Sequence, residues 1–176
     1  MILTVPPSVL LPNHYFFTMS NILLLPAVSK AYFNRFPRVK EYLDGLRKMA
    51  MQQGYVETMV GRRRYFPNLS TTTNVNARNQ QEREAINAPI QGTAADILKI
   101  AMINLSSALQ KSGLKAKILL QVHDELLLEC PVEERNETII LVQKVMENAY
   151  QLSIPLSTEA RWGFNWGSLE VIDIKR

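Results

Sequence analysis

The alternation of hydrophobic and polar positions along this 176-residue chain changes period several times, and each change marks an element. Pro37 suits the first turn of a helix, where its missing N–H costs nothing. Val39, Leu43, Leu46 and Ala50 then recur at helical spacing, and Gly54 closes the segment. Tyr55–Val60 predicts a short strand, Gly61 a turn and Arg64–Phe66 a returning strand. Pro67–Asn76, rich in Ser, Thr and Asn, predicts a loop and the best internal hinge. Gln80–Asn87 predicts a polar helical segment broken at Pro89. Thr93-Ala-Ala-Asp96 reads as a capping box opening a second helix that runs to Lys111, with Ile97, Ala101, Leu105 and Ala108 inward. Ile118–Val122 and Leu126–Cys130 are apolar strands flanking His123-Asp124-Glu125. They predict a tight hairpin with both sheet faces covered. A helix to Tyr150 follows, with Ile139, Val142, Met146 and Ala149 inward, and then a last strand, Leu156–Trp162. The fold class this implies is α+β, an antiparallel sheet backed by helices.

Composition narrows the picture. The hydrophobic share of 47% is that of a globular protein and excludes a disordered chain, a collagen and a coiled coil. The lone Cys130 excludes a disulfide scaffold and fits a reducing compartment. The net charge of +4 hides an asymmetry. Residues 1–115 carry 14 Lys/Arg against 6 Asp/Glu, and residues 116–176 carry 6 against 10. A basic front and an acidic back suggest a polyanionic partner for one part, although an uneven solvated surface explains the same counts. The most apolar stretch, Met1–Val28, is cut by Pro6, Pro7, Pro12 and Pro26, and no lysine or arginine precedes Lys30. Neither a membrane span, a secretory signal nor an arginine-rich transit peptide is therefore expected. Residues 1–29 read as an irregular lead-in.

Three constellations could carry chemistry. The first is the hairpin tip, where His123, Asp124 and Glu125 sit between buried strands that would project them rigidly. Magnesium is commonly held by one or two carboxylates plus substrate phosphate oxygens. Acids at a turn tip are also ordinary solvated turn residues. The second is Arg62, Arg63 and Arg64, adjacent in a turn, which suit phosphate binding or an edge-protecting basic turn. The third is Arg83, Asn87 and Gln91. Steps of four place these hydrogen-bonding side chains along one helix face, able to reach minor-groove acceptors or simply to face solvent. Asp96 is better explained as a cap, and Cys130 has no histidine pattern for nucleophilic work. No phosphate-binding loop, zinc spacing or dinucleotide fingerprint is present.

Together these segments resemble the C-terminal part of a family A DNA polymerase. The matching stretches occur in family order: Tyr32-Phe-Asn-Arg-Phe-Pro-Arg-Val39, Gly54-Tyr-Val-Glu-Thr58 with Gly61-Arg-Arg-Arg64, then Glu82-Arg83, Asn87 and Pro89-Ile-Gln-Gly-Thr-Ala-Ala-Asp96. Leu120-Gln-Val-His-Asp-Glu-Leu126 and Gly163-Phe-Asn-Trp166 complete them. The resemblance covers Ala31–Gly167, between an unmatched lead-in, residues 1–30, and a C-terminal tail, residues 168–176.

The resemblance implies the palm and part of the fingers of a DNA-directed DNA polymerase. Such an enzyme performs template-dependent nucleotidyl transfer to a primer 3′-hydroxyl with Mg²⁺, in replication or repair. Asp124 resembles the second catalytic carboxylate, Glu125 its acidic neighbour and His123 the residue near the primer 3′ end. Arg83, Asn87, Gln91 and Gln121 resemble residues that track the primer–template minor groove, and Arg62–Arg64 lie near the DNA backbone or stabilise the site. In a bacterium the implied place is the cytoplasm, at the nucleoid; in a eukaryote, an organelle or the nucleus. The family's first catalytic aspartate, in an upstream Asp-Tyr-Ser-like strand, and its nucleotide-binding helix find no match in residues 1–30. Arg161 stands where the family usually has a small residue. The expectation is therefore a polymerase fragment, inactive alone. Deoxynucleoside triphosphates would bind only if a second chain supplied the upstream segment. The alternative is a non-catalytic, sequence-independent duplex-DNA-binding remnant.

Overall fold

The computed structural model describes residues 2–5, 7–8 and 26–172. It divides into two compact units, one formed by residues 1–12 and 95–176 and the other by residues 13–94. The boundary falls inside a helix and not in the expected hinge at Pro67–Asn76.

The first unit is built on a five-stranded antiparallel sheet. In chain order its strands are β1 (Ile2–Val5), β5 (Lys117–Val122), β6 (Glu125–Glu129), β8 (Ala160–Gly163) and β9 (Glu170–Ile172). They lie side by side as β5-β6-β1-β8-β9. Strand β1 is central: Leu3 pairs with Leu128 on one side and with Trp162 on the other. Two-residue strands β2 (Pro7–Ser8) and β7 (Ser157–Thr158) pair beside it. One sheet face packs on the C-terminal half of helix α3 (Val75–Ser112) and on α4 (Arg135–Glu147). Leu98, Ala101, Leu105 and Leu109 meet Leu126, Leu128, Ile139, Val142 and Met146 in one core. The expected antiparallel sheet backed by helices is the observed architecture.

The second unit contains α1 (Pro26–Arg35), α2 (Pro37–Gln53) and the hairpin β3 (Tyr55–Glu57) and β4 (Arg63–Tyr65), together with the N-terminal half of α3. Gly54 ends α2 at φ +76°, donating to the Ala50 carbonyl as a left-handed cap. Leu46, Ala50, Val56, Phe66, Leu69 and Ala85 form its core. The N-cap of α3 is Asn74, whose Oδ1 accepts the backbone N–H groups of Asn76 and Ala77 at 3.0 and 3.2 Å.

Four expectations are corrected, one of them the last strand at Leu156–Trp162, which is split into β7 and β8 and is followed by β9. Residues 1–29 were expected to be irregular, yet Ile2–Val5 is the central strand. Four residues before a proline are too few to show a period, although three of them are β-branched. The break at Pro89 and the capping box at Thr93 are absent, because α3 runs unbroken through both. A proline inside a helix costs about 3 kcal/mol. Here Pro89 is buried, and the Thr93 hydroxyl donates to its carbonyl at 2.6 Å. The same hydroxyl accepts the Met59 N–H at 3.0 Å, so tertiary contacts hold the segment helical. Lastly, the β5–β6 hairpin is not covered on both faces. Strand β5 is the sheet edge, with Leu119 and Leu120 at 45% and 50% exposure and a register shift between Ile118 and Leu120.

A glycine inside α3 has its explanation in the same junction. A Cβ on Gly92 would lie 2.6 Å from Thr58 Cγ2 and 3.1 Å from Arg62 Nη2. Thr58 cannot rotate away freely, since its Oγ1 accepts the Arg62 N–H at 3.1 Å. Gly92→Ala gains about 1 kcal/mol of helix propensity against an overpacking cost of about 1–3 kcal/mol. We expect a net loss in chemical denaturation. Adding Thr58→Ser, which removes the obstructing methyl and keeps the hydroxyl, should restore most of it; failure of that rescue would show that close approach is not the reason for glycine.

Candidate active site and nucleic-acid face

The hairpin between β5 and β6 is closed by two residues, with Val122 paired to Glu125. His123 adopts φ +53°, a left-handed conformation that few non-glycine residues take and that is found disproportionately at functional sites. Gln121 Nε2 donates to the His123 carbonyl at 2.9 Å and braces the turn. His123 is exposed, whereas Asp124 and Glu125 are half-buried. Leu126, Leu127 and Leu128 follow, all buried, and anchor β6 in the sheet. The two carboxylates thus stand at the end of a rigid strand.

The neighbouring strands decide what else reaches this tip. Val5 of β1 pairs with Leu126, so β1 ends beside the tip, and its sequence Ile-Leu-Thr-Val holds no acid. Beyond it, Glu159 precedes β8 and its Oε1 accepts from Arg161 Nε at 2.6 Å. Among the described residues, no group of three His, Cys, Asp or Glu side chains could hold a metal ion. Asp124 and Glu125 are neighbours in sequence at this tip.

Strand β7 is held by a polar clamp. Gln143 Nε2 donates to the Thr158 carbonyl, and Glu147 Oε1 accepts both the N–H and the hydroxyl of Thr158, each at 3.0 Å. Spacing does not reveal this clamp, because only the folded chain brings residues 143 and 158 together. Cys130 is buried, and loss of solvation pushes its thiol up from the ordinary value, which suits a packing residue.

The other predicted residues lie in the second unit. Arg83, Asn87 and Gln91 are all exposed on α3, on one face. Among the described residues none of the three makes a side-chain hydrogen bond or ion pair, as the bonds found elsewhere on α3 involve other side chains. The three adjacent arginines are engaged instead. Arg62 Nη2 donates to the Gly92 carbonyl at 3.1 Å, Arg63 Nε to Glu57 at 2.6 Å and Arg64 Nη2 to Glu84 at 2.6 Å. Arg63 also lies over the Tyr55 ring, 4.5 Å from its centroid. Arg62 and Arg64 thus tie the β3–β4 hairpin to α3, and Arg63 ties its two strands together.

The first unit thus presents two adjacent carboxylates at a hairpin tip of an antiparallel sheet, and the second presents an exposed helix face of amide and guanidinium groups. The family model for DNA polymerase family A matches residues 26–168, and the chain belongs to that family. It is 50% identical over 135 residues to DNA polymerase I of Caldicellulosiruptor bescii, covering 77% of this chain and 16% of that protein. DNA polymerase I of Deinococcus radiodurans is 45% identical over 153 residues, covering 84% of this chain and 16% of that one. A solved structure, the POL domain of Pol1 from M. smegmatis in complex with DNA primer-template and dNTP, superposes with a TM-score of 0.84 at 32% identity. That match covers 94% of this chain and 40% of the solved one. The chain therefore spans 16% of the length of these two curated relatives. Among the described residues, no helix is long and apolar enough to cross a membrane.

Proposed function

We propose that this chain supplies the palm, and part of the fingers, of a template-dependent DNA polymerase. The observation that carries the reading is the hairpin tip, which presents half-buried Asp124 and Glu125 from the anchored strand β6. Asp124 is the metal-binding carboxylate and Glu125 its neighbour. Their partial exposure leaves room for the waters and phosphate oxygens that complete a magnesium shell. Magnesium, when bound, would stabilise the charge on the attacking and leaving oxygens of phosphoryl transfer. His123 would meet the primer 3′ end, a role supported by its exposure at the turn. Gln121 braces that turn. Arg83, Asn87 and Gln91 contact the minor groove of the primer–template duplex, while Arg62, Arg63 and Arg64 support the hairpin behind them.

The chain by itself does not extend primers in this reading. Nucleotidyl transfer by two metals needs carboxylates from separate strands, and β1, which lies beside the tip, is acid-free. A second chain carrying the missing aspartate on a strand would have to take the place that β1 fills. The test is incorporation of deoxynucleotides on a primed template, alongside Mn²⁺ binding followed by paramagnetic resonance. We expect no extension, and metal binding that Asp124→Asn weakens at least about tenfold. Extension that Asp124→Asn abolishes would overturn the inactive assignment, and unchanged Mn²⁺ binding in the variant would overturn the metal assignment.

The second reading is a non-catalytic duplex-binding remnant, favoured by the same acid-free β1 and by the exposed polar face of α3. It expects weak, sequence-independent binding that falls steeply with salt. A duplex probe that shows no mobility shift at low salt would remove it.

A further inference from the structure

The polar face of α3 continues N-terminal to Arg83. In an α-helix with 3.6 residues per turn, positions 76, 80, 83, 87 and 91 fall in one stripe. All five, Asn76, Gln80, Arg83, Asn87 and Gln91, are exposed. The stripe contains no acid and no large apolar side chain. The acids of this half of the helix lie off it and are engaged: Glu82 pairs with Arg78 at 3.1 Å, and Glu84 with Arg64 at 2.6 Å. The remaining charge on the stripe is Arg83, which has no side-chain partner among the described residues. Gln80 Nε2 gives one hydrogen bond to Glu84 Oε1 at 3.2 Å, which orients the amide and leaves it a second N–H.

We infer that Asn76 and Gln80 extend the duplex-contacting surface beyond Arg83, so that the stripe is a five-residue minor-groove reader. This rests on the DNA-binding reading above. From residue 76 to residue 91 the helix rises about 22 Å, comparable with the axial length of about six base pairs. Amide N–H groups match the N3 and O2 acceptors that every base pair presents in the minor groove, so contact is sequence-independent. A polyanion is the occupant favoured by charge, because the flanking acids are paired and, among the described residues, Arg83 is not. A protein partner would find no apolar anchor on this stripe.

Fluorescence anisotropy with a labelled mixed-sequence duplex, titrated at several salt concentrations, tests the inference on the whole chain. The double variant Asn76→Ala/Gln80→Ala should bind about tenfold more weakly with an unchanged salt slope, since neither side chain neutralises a phosphate. Arg83→Ala should weaken binding and lower the slope by about one. Gln110→Ala, exposed elsewhere on α3, should match the parent. If Arg83→Ala loses affinity and the double variant binds within about twofold of the parent, the extension is wrong and the three-residue face stands. If the parent does not bind, or Arg83→Ala binds like it, the DNA-binding reading itself fails. Circular dichroism melts of each variant establish that helix content is intact; alanine at exposed helix positions favours the helix.

Discussion

Leu3→Pro will unfold the five-stranded sheet. Leu3 sits in the central strand, paired with Leu128 on one side and Trp162 on the other. Proline removes the N–H that a ladder requires and is tolerated only at sheet edges or bulges. The neighbours β6 and β8 cannot close the gap, because each strand spacing is about 4.8 Å and β1 is what separates them. The expected cost is about 3 kcal/mol or more, a large fraction of the stability of a small unit. Urea denaturation and amide hydrogen exchange read it directly: Leu126–Leu128 should lose protection while Leu46 and Ala50, in the other unit, keep theirs. Retention of full protection in β6 would mean that β1 does not hold the sheet. The same experiment bears on the candidate site, since Asp124 and Glu125 depend on β6 for their position.

Leu105→Ala should be nearly as damaging by a different mechanism. Leu105 is completely buried on the inner face of α3, in the core shared by β6 and α4. Truncation removes apolar area and leaves a cavity, for about 2–5 kcal/mol. Ile103, two residues away and 69% exposed, is the internal control, because its truncation to alanine should change stability by about 0.5 kcal/mol or less. Equal effects at the two positions would contradict the assignment of the inner face. The midpoint of chemical denaturation measures both.

Much of this was legible from local chemistry. The helix from Pro37 shows its start in a proline and its end in Gly54, and of the inner face read as Val39, Leu43, Leu46 and Ala50 the last three are buried while Val39 is half-buried. The hairpin around His123-Asp124-Glu125 is announced by two apolar runs with a tight polar gap, and its pairing closes there. Ile139, Val142 and Met146 of α4 point inward as helical period alone indicates, whereas the helix ends at Glu147, short of the expected Ala149 and Tyr150. Family membership was likewise readable from short motifs whose order the chain preserves.

Other features needed the folded chain. Pro89 is a helix breaker by propensity, yet α3 is continuous through it, and the Thr93 hydroxyl there binds the Pro89 carbonyl and accepts the Met59 N–H from the β3–β4 turn. Gly92 looks like a weak point in a helix until Thr58 is seen against it. Arg62, Arg63 and Arg64 read equally as a phosphate site or a structural turn, and the positions of Glu57, Gly92 and Glu84 supply the partners.

The sequence by itself determined most of the periods, the glycine cap at Gly54, the carboxylates at the tip and the family, because each depends on residues close together along the chain. Tertiary structure decided the central place of Ile2–Val5, the continuity of α3 and the partners of the arginines. Those depend on backbone groups and side chains separated by tens of residues, and their energies exist only once long-range packing has brought them together.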